Sequence, residues 1–147
     1  RNMSELDLHT DCENCQGLCC VAPPFAKSNE FAYAKAEGEP CRHLAKNDRC
    51  LIHEDLVTKG FIGCVKFECF SAGQKVTQHH FAGQSWQDDH LTAKRMFHIF
   101  FIVKALQQKI KALLEDDAEG NAEKITTLEQ LSLASEEDLL TLDLDRL

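Results

Sequence analysis

Eight cysteines are the residues of this sequence with the most recognisable chemistry, and none of them follows residue 69. Half of them lie between residues 12 and 20, in the stretch Cys-Glu-Asn-Cys-Gln-Gly-Leu-Cys-Cys. Thiolates are soft ligands that favour zinc and iron–sulfur clusters, so this concentration indicates metal binding or another kind of cross-link. The candidate metal ligands are Cys12, Cys15, Cys19, Cys20, Cys41, Cys50, Cys64 and Cys69.

The spacing of the first cysteines is typical of a metal knuckle. Cys12 and Cys15 are separated by two residues, which lets a tight turn aim both sulfurs at one ion. Gly17 then allows the backbone to turn again before Cys19 and Cys20. Adjacent side chains point about 100° apart on a helix, so this pair is expected to serve two ions or one polynuclear cluster. Eight thiolates suffice for two four-coordinate sites, with one zinc ion held by four of them as the alternative.

Three interpretations of the cysteines compete. The first is zinc in closed structural sites, with an iron–sulfur cluster on the same thiolates as its alternative. The second is a set of four disulfides, which the even number of cysteines allows and which would staple an interaction domain. The third is a redox or nucleophilic cysteine. The two-residue spacing and the absence of a secretion signal favour metal binding.

Histidines add little to this ligand set. Cys50-x-x-His53 has ligand-type spacing, and His43 lies close to Cys41. Because eight thiols already suffice, a position outside the ligand set is expected for both histidines. The sequence has no phosphate-binding loop, nucleophile elbow or metalloprotease motif, so it assigns no catalytic residue, small-molecule substrate or enzymatic activity.

The charge of the chain is concentrated at its end. The net charge is −8, and residues 115–147 hold eleven acidic residues against two basic ones. Net acidity argues against non-specific binding to nucleic acid. The acidic tail is expected to be a solvated helical face, with docking of a protein partner as the alternative. No apolar run is long enough for a membrane span, and the polar start Arg1-Asn2-Met3 is unlike a signal peptide, so a cytoplasmic location is expected.

Hydrophobic periodicity predicts helices in the second half of the chain. Apolar residues recur at helical spacing over 91–114 and again over 122–133. The segment Ser85-Trp-Gln-Asp88 has the spacing of a capping box before the first of these helices. Ser135, followed by three acidic residues, predicts the start of a third helix.

The first half carries weaker signals. A helix is predicted from Ser28 to Glu37, and alternating residues predict a short strand over 65–69. The fold class is therefore mostly α: a compact, irregular, metal-stapled module over 1–84, followed by two or three packed helices over 85–147, together one structural domain.

The cysteine pattern resembles that of a known bacterial family. Cys12-x-x-Cys15-x3-Cys19-Cys20, Cys41-Arg-His-Leu and Cys50-x-Ile-His are similar to the CxxCxxCC proteins, which are described as zinc- or iron-chelating domains. Longer stretches resemble the cysteine-rich N-terminal region of some pentapeptide-repeat proteins, over about residues 11–147. These are Asp11-Cys-Glu-Asn-Cys-Gln-Gly-Leu-Cys-Cys-Val-Ala-Pro-Pro-Phe-Ala-Lys, Gly60-Phe-Ile-Gly-Cys, Glu68-Cys-Phe-Ser-Ala-Gly-Gln-Lys-Val, Gly83-x2-Trp86 and Ser135-Glu-Glu-Asp-Leu-Leu. The resemblance implies a metal-chelating module without a known substrate, although this chain has no pentapeptide repeat.

Overall fold

The computed structural model describes residues 8, 10–116 and 119–147, and within them the protein is mostly helical and has no strand. This confirms the predicted fold class. The polar start of the chain and Asp117 of the acidic tail lie outside the described residues. The helices are α1 (Leu18–Val21), α2 (Ile62–Lys66), α3 (Ala72–Lys75), α4 (His90–Glu115), α5 (Asn121–Ser132) and α6 (Glu136–Leu140). Short 3₁₀ turns occur at Cys12–Asn14, His53–Asp55 and Leu144–Arg146, and a π turn over Val76–His80 follows α3.

Helix α4 is the longest element, and it forms where hydrophobic periodicity predicts a helix. Its 26 residues span about 39 Å. Asp89 rather than the predicted Ser85 caps it, since the Asp89 carboxylate accepts a hydrogen bond from the Thr92 N–H at 2.7 Å. This hydrogen bond lowers the pKa of Asp89. Ser85 instead begins a turn in which its N–H donates to Asp88 at 2.9 Å.

Helices α5 and α6 fold back along α4. Asn121, the first residue of α5, donates from its amide to the carbonyls of Leu113 and Asp116 and so satisfies the end of α4. Ser135 caps α6 as predicted, accepting from the Asp138 N–H at 3.1 Å. Glu136 in α6 then pairs with Arg95 of α4 through two hydrogen bonds of 2.7 and 2.9 Å.

The main hydrophobic core joins both halves of the chain. Its centre is the buried face of α4, which includes Phe100 and Leu106. The other members come from α1, α3 and the turn after it, and from the covering helices α5 and α6. They include Leu18, Val21, Ala22, Cys69, Ala72, Val76, Phe81, Ile125, Leu128 and Leu139. The helices that begin just before Cys19 and just after Cys69 are therefore anchored to the same core.

The segment between α1 and α3 is irregular, and two local predictions for it are wrong. No helix spans Ser28–Glu37; an isolated antiparallel bridge joins Phe25 to Lys35 there, and the Ser28 hydroxyl accepts from the Glu30 N–H. The predicted strand over 65–69 is also wrong, because α2 extends to Lys66. Turns tied by side chains replace regular structure in this part of the protein.

Most of the described acidic residues of the tail lie at the surface. Glu129 is buried and Glu136 is paired with Arg95, whereas Glu137 and Asp138 are exposed. None of the helices in the described residues combines the length and apolar content of a membrane span.

Candidate metal centre

The cysteines lie in two neighbouring groups. The first group consists of Cys12, Cys15 and Cys69. Cys12 opens a 3₁₀ turn that Cys15 closes, with the Cys15 N–H donating to the Cys12 carbonyl at 3.4 Å. Cys69 is buried, and its sulfur lies 3.4 Å from the Thr10 hydroxyl. The charge of Cys69 adds to the effect of burial in raising the pKa of both Cys12 and Cys15, so Cys69 faces both.

Gly73 in α3 makes the first group compact. A Cβ atom on Gly73 would lie 2.6 Å from the Cys15 sulfur and 3.8 Å from the Cys69 sulfur. Real Cβ atoms do not approach a sulfur within 2.6 Å, so the absence of a side chain at Gly73 is what lets Cys15 sit here. The backbone N–H groups of Leu18 and Gly17 also donate to the Cys15 sulfur and partly oppose the burial that raises its pKa.

The second group consists of Cys19, Cys20, Cys41, Cys50 and Cys64. The sulfurs of Cys19 and Cys20 are 4.0 Å apart. The neighbouring thiol of Cys19 raises the pKa of Cys20, and the thiol of Cys20 contributes to the raised pKa of Cys50, so Cys50 lies near this pair. Burial, with the charges of Cys41 and Cys50, raises the pKa of Cys64 to about 11.

Backbone contacts bring the second group together. Gly17 has a φ of 66°, as its position before α1 requires, and a side chain there would lie 2.7 Å from the Asp48 carbonyl oxygen. This close approach brings α1 against the turn that ends in the Leu44–Cys50 bridge. The Cys41 N–H donates to the Cys20 carbonyl at 2.7 Å. Residues distant in the sequence are thus held beside α1.

An aromatic cluster supports Cys41. The Tyr33 hydroxyl donates to the Cys41 sulfur at 3.2 Å and accepts from the Arg42 N–H at 2.9 Å. The Tyr33 ring packs edge-on against Phe61, with 5.7 Å between centroids, and His43 packs against Phe61 at 5.4 Å. His43 therefore belongs to this cluster. His53, in its 3₁₀ turn, is exposed.

The sulfur donors are of the kind that a thiophilic metal prefers, but the thiols are not arranged as a closed metal site. All eight cysteines are free thiols. Within residues 8, 10–116 and 119–147, no three His, Cys, Asp or Glu side chains have an arrangement that could hold an ion. Zinc–sulfur bonds of about 2.3 Å place two ligands of one tetrahedral site roughly 3.8 Å apart. The 4.0 Å between Cys19 and Cys20 is close to that value, which favours one ion or one cluster for this pair over two separate ions.

Sequence reasoning missed the residues around the sulfurs. Tyr33, Lys35 and Gly73 carry no motif of their own, and each acts on a cysteine through the folded chain. The two glycines of the Gly-Phe-Ile-Gly stretch before Cys64 are the one local signal, since repeated glycines next to a cysteine indicate close packing. Gly63 shows this packing most clearly.

We expect Gly63→Ala to destabilise the region around Cys64. Its new Cβ would lie 2.3–2.8 Å from three ring atoms of Phe31, which is itself stacked on Phe25 with 4.3 Å between centroids. Overpacking of this kind costs about 1–3 kcal/mol, measured as a lower midpoint of denaturant unfolding. In a Phe31→Ala background the same change should cost much less, because the clashing ring is gone. Equal costs in both backgrounds would show that the ring is not the cause.

The fold and the site define a helical, cysteine-rich protein whose free thiols form two groups beside one core. No protein-family model matches the chain, and no solved structure matches it. Among curated proteins it is similar to the uncharacterized protein YybG of Bacillus subtilis (strain 168), with 45% identity over 147 aligned residues. The alignment covers 95% of this chain and 53% of YybG, so the chain spans about half the length of that relative.

Proposed function

We propose that this chain is a metal-binding module whose two cysteine groups hold zinc in structural sites. The observation that carries the proposal is the 4.0 Å approach of the Cys19 and Cys20 sulfurs, together with the 2.7 Å hydrogen bond from the Cys41 N–H to the Cys20 carbonyl. Several thiols in contact cannot all ionise without a cation between them, and a divalent soft metal supplies that cation.

The hydrogen bonds around the sulfurs support the same proposal. Donors aimed at a sulfur stabilise a thiolate and orient it, as groups outside the ligand set of metal sites do. Cys41 has such a donor in Tyr33, and Cys50 has one in the Ile52 N–H. A reactive nucleophilic cysteine needs a lowered pKa, whereas the pKa values of Cys20 and Cys64 are raised. For these two cysteines the direction of the pKa weighs against a nucleophilic role.

The arrangement favours one metal centre in each group. The first group offers three thiols and the second offers five, whereas a closed zinc site uses four ligands. Cys50 is the member of the second group whose charge contributes to the raised pKa of Cys12. If Cys50 bound the metal of the first group, each group would supply four thiolates. The chain would then hold two four-thiolate sites, the number predicted from the sequence. An iron–sulfur cluster in the second group is the alternative cofactor, with a redox or enzymatic role.

Metal analysis of the full chain, purified under reducing conditions, tests the proposal. We expect about two zinc ions per chain, from eight thiolates at four per site. Cys15→Ser in the first group and Cys20→Ser in the second should each retain about one ion, and the double variant should retain none. Ser28→Ala, which removes an exposed hydroxyl that accepts from the Glu30 N–H, is the control and should match the parent.

Each alternative predicts a different result. A brown, oxygen-sensitive protein that contains iron and inorganic sulfide would show that the cofactor is an iron–sulfur cluster instead of zinc. A mass lower by roughly eight protons, together with thiols that resist alkylation, would indicate four disulfides and an interaction domain. Colourless protein with reactive thiols and no bound metal would contradict the proposal.

The cellular location of the protein and its binding partner stay predictions. A reducing compartment such as the cytoplasm would keep the thiols available for metal. The exposed acids of the C-terminal helices, among them Glu123, Glu137 and Asp138, could contact a basic protein partner. The net negative charge still argues against nucleic acid as the partner.

A further inference from the structure

Lys35 is a buried cation whose hydrogen-bonding capacity is fully used. Its side chain is only 4% exposed. The ammonium group donates to the backbone carbonyls of Val21 at 3.0 Å, Ala36 at 3.1 Å and Glu39 at 2.7 Å. A lysine ammonium has three N–H donors, so each has a partner. The cost of burying the charge is offset by three charge-assisted hydrogen bonds.

These carbonyls belong to the two segments that carry part of the second cysteine group. Val21 directly follows Cys20 in α1, and Glu39 comes two residues before Cys41. The same segments are joined by the bond from the Cys41 N–H to the Cys20 carbonyl, at 2.7 Å. Lys35 therefore adds a side-chain tie to a backbone tie, and both fix the distance between these two cysteines.

The charge of Lys35 also acts on the sulfurs. Burial lowers the pKa of Lys35, while negative charges on Cys41, Glu39, Cys20 and Glu37 raise it. The ammonium group is held on the carbonyls of Val21 and Glu39, so a positive charge is fixed close to Cys20 and Cys41 along the chain. A zinc ion with four thiolates carries a net charge of −2, and a fixed positive charge nearby offsets part of it.

We propose that Lys35 is a positioning residue for the metal centre of the second group, which holds Cys20 and Cys41 in place and balances the charge of the metal thiolates. This rests on the proposed function. Groups around metal ligands typically change metal affinity by about 10- to 100-fold when they are removed. Lys35→Met keeps most of the length of the side chain and removes both the N–H donors and the charge.

The test uses the full chain, reduced and loaded with Co²⁺ as a spectroscopic probe for zinc. Affinity is read by competition with a chelator, and the number of coordinating thiolates by the intensity of the thiolate-to-cobalt charge-transfer band. We expect Lys35→Met to weaken binding about 10- to 100-fold and to lower the intensity of that band. Lys35→Arg should lie closer to the parent, since it keeps the charge and donors. Lys27→Met, which removes an exposed lysine from the same segment, should match the parent.

Each outcome decides the inference. If the parent binds cobalt and Lys35→Met has the same affinity and band intensity, the role of Lys35 is overturned while the proposed function stands. If Lys35→Met does not fold, Lys35→Arg is compared with Lys35→Gln, which keeps hydrogen-bond donors but not the charge; equal affinities would overturn the electrostatic role. A parent that binds neither cobalt nor zinc would overturn the proposed function, and with it this inference.

Discussion

Removing the proposed zinc from the reduced protein should unfold the segment from residue 23 to residue 68 and leave the long helices folded. Between those residues, among the described hydrophobic side chains, only Phe61 is buried, and it lies outside the main core. Other apolar residues of the segment are at the surface, such as Leu51 at 70% exposed and Val57 at 64%. Ordering each residue costs about 1–2 kcal/mol of backbone entropy, which one small aromatic cluster does not offset over this length.

Metal binding can supply the missing free energy. Structural zinc contributes roughly 10–16 kcal/mol of apparent binding free energy at neutral pH, and in a thin core that becomes folding free energy. The second group has three of its cysteines, Cys41, Cys50 and Cys64, within this segment, and Cys20 lies just before it. Their shared centre would close the long loops that connect them.

Hydrogen exchange with and without a strong chelator measures the effect. We expect amide protection to fall by several orders of magnitude in residues 23–68, and to persist in α4 and α5. The control is the same chelator already saturated with zinc, and re-addition of zinc should restore protection. Confirmed loss of zinc with unchanged protection in this segment would show that the metal is not structural.

The helices of the second half could be predicted because they are long and regular. A helix over 91–114 is confirmed by α4, which extends one residue further at each end. Ser135 caps α6 through a hydrogen bond that depends only on residues within one turn. Periodicity and capping are local properties, and in this half the packing agrees with them.

The short elements of the first half could not be predicted in the same way. Five residues fit a strand or a helix equally well, and packing of Gly63 against Phe31 places residues 62–66 in a helix. Ser28 has a typical capping side chain, but its hydroxyl closes a turn to Glu30. The bridge from Phe25 to Lys35 then excludes a helix between them.

The candidate site could likewise be predicted only where it depends on residues close together in the sequence. The spacing of Cys12 and Cys15 predicts a tight turn, and a 3₁₀ turn forms there; its role as a metal knuckle stays a prediction. The assignment of Cys69 to their group depends on the packing of α3, where Gly73 meets the sulfurs. Lys35 could not be identified from the sequence, because its three acceptors are backbone carbonyls, which have no sequence signature.

Deleting residues 121–147 should leave α4 without its cover and cause aggregation. The deletion removes the buried side chains Ile125, Leu128 and Leu139 from the core. Each such burial is worth about 1.5–3 kcal/mol, so the three together compare with the 5–15 kcal/mol of a typical domain. Phe100, which is fully buried, would lose part of its surroundings. Phe97 should be less affected, since it packs against Trp86 at 6.3 Å between centroids.

The deletion also removes polar ties that substitutions can test separately. Asn121 caps the end of α4, and Lys75 links Gln107 in α4 to Ser132 in α5 through bonds of 3.1 and 3.0 Å. Leu128→Ala should lower the free energy of unfolding by about 2–5 kcal/mol, whereas exposed Thr126→Ala should change it by less than about 0.5 kcal/mol. Light scattering and thermal unfolding of the deletion variant measure the full effect. A monomeric variant with the parent's melting temperature would mean that α4 is covered by another surface, because its apolar face is too wide to stay exposed to water.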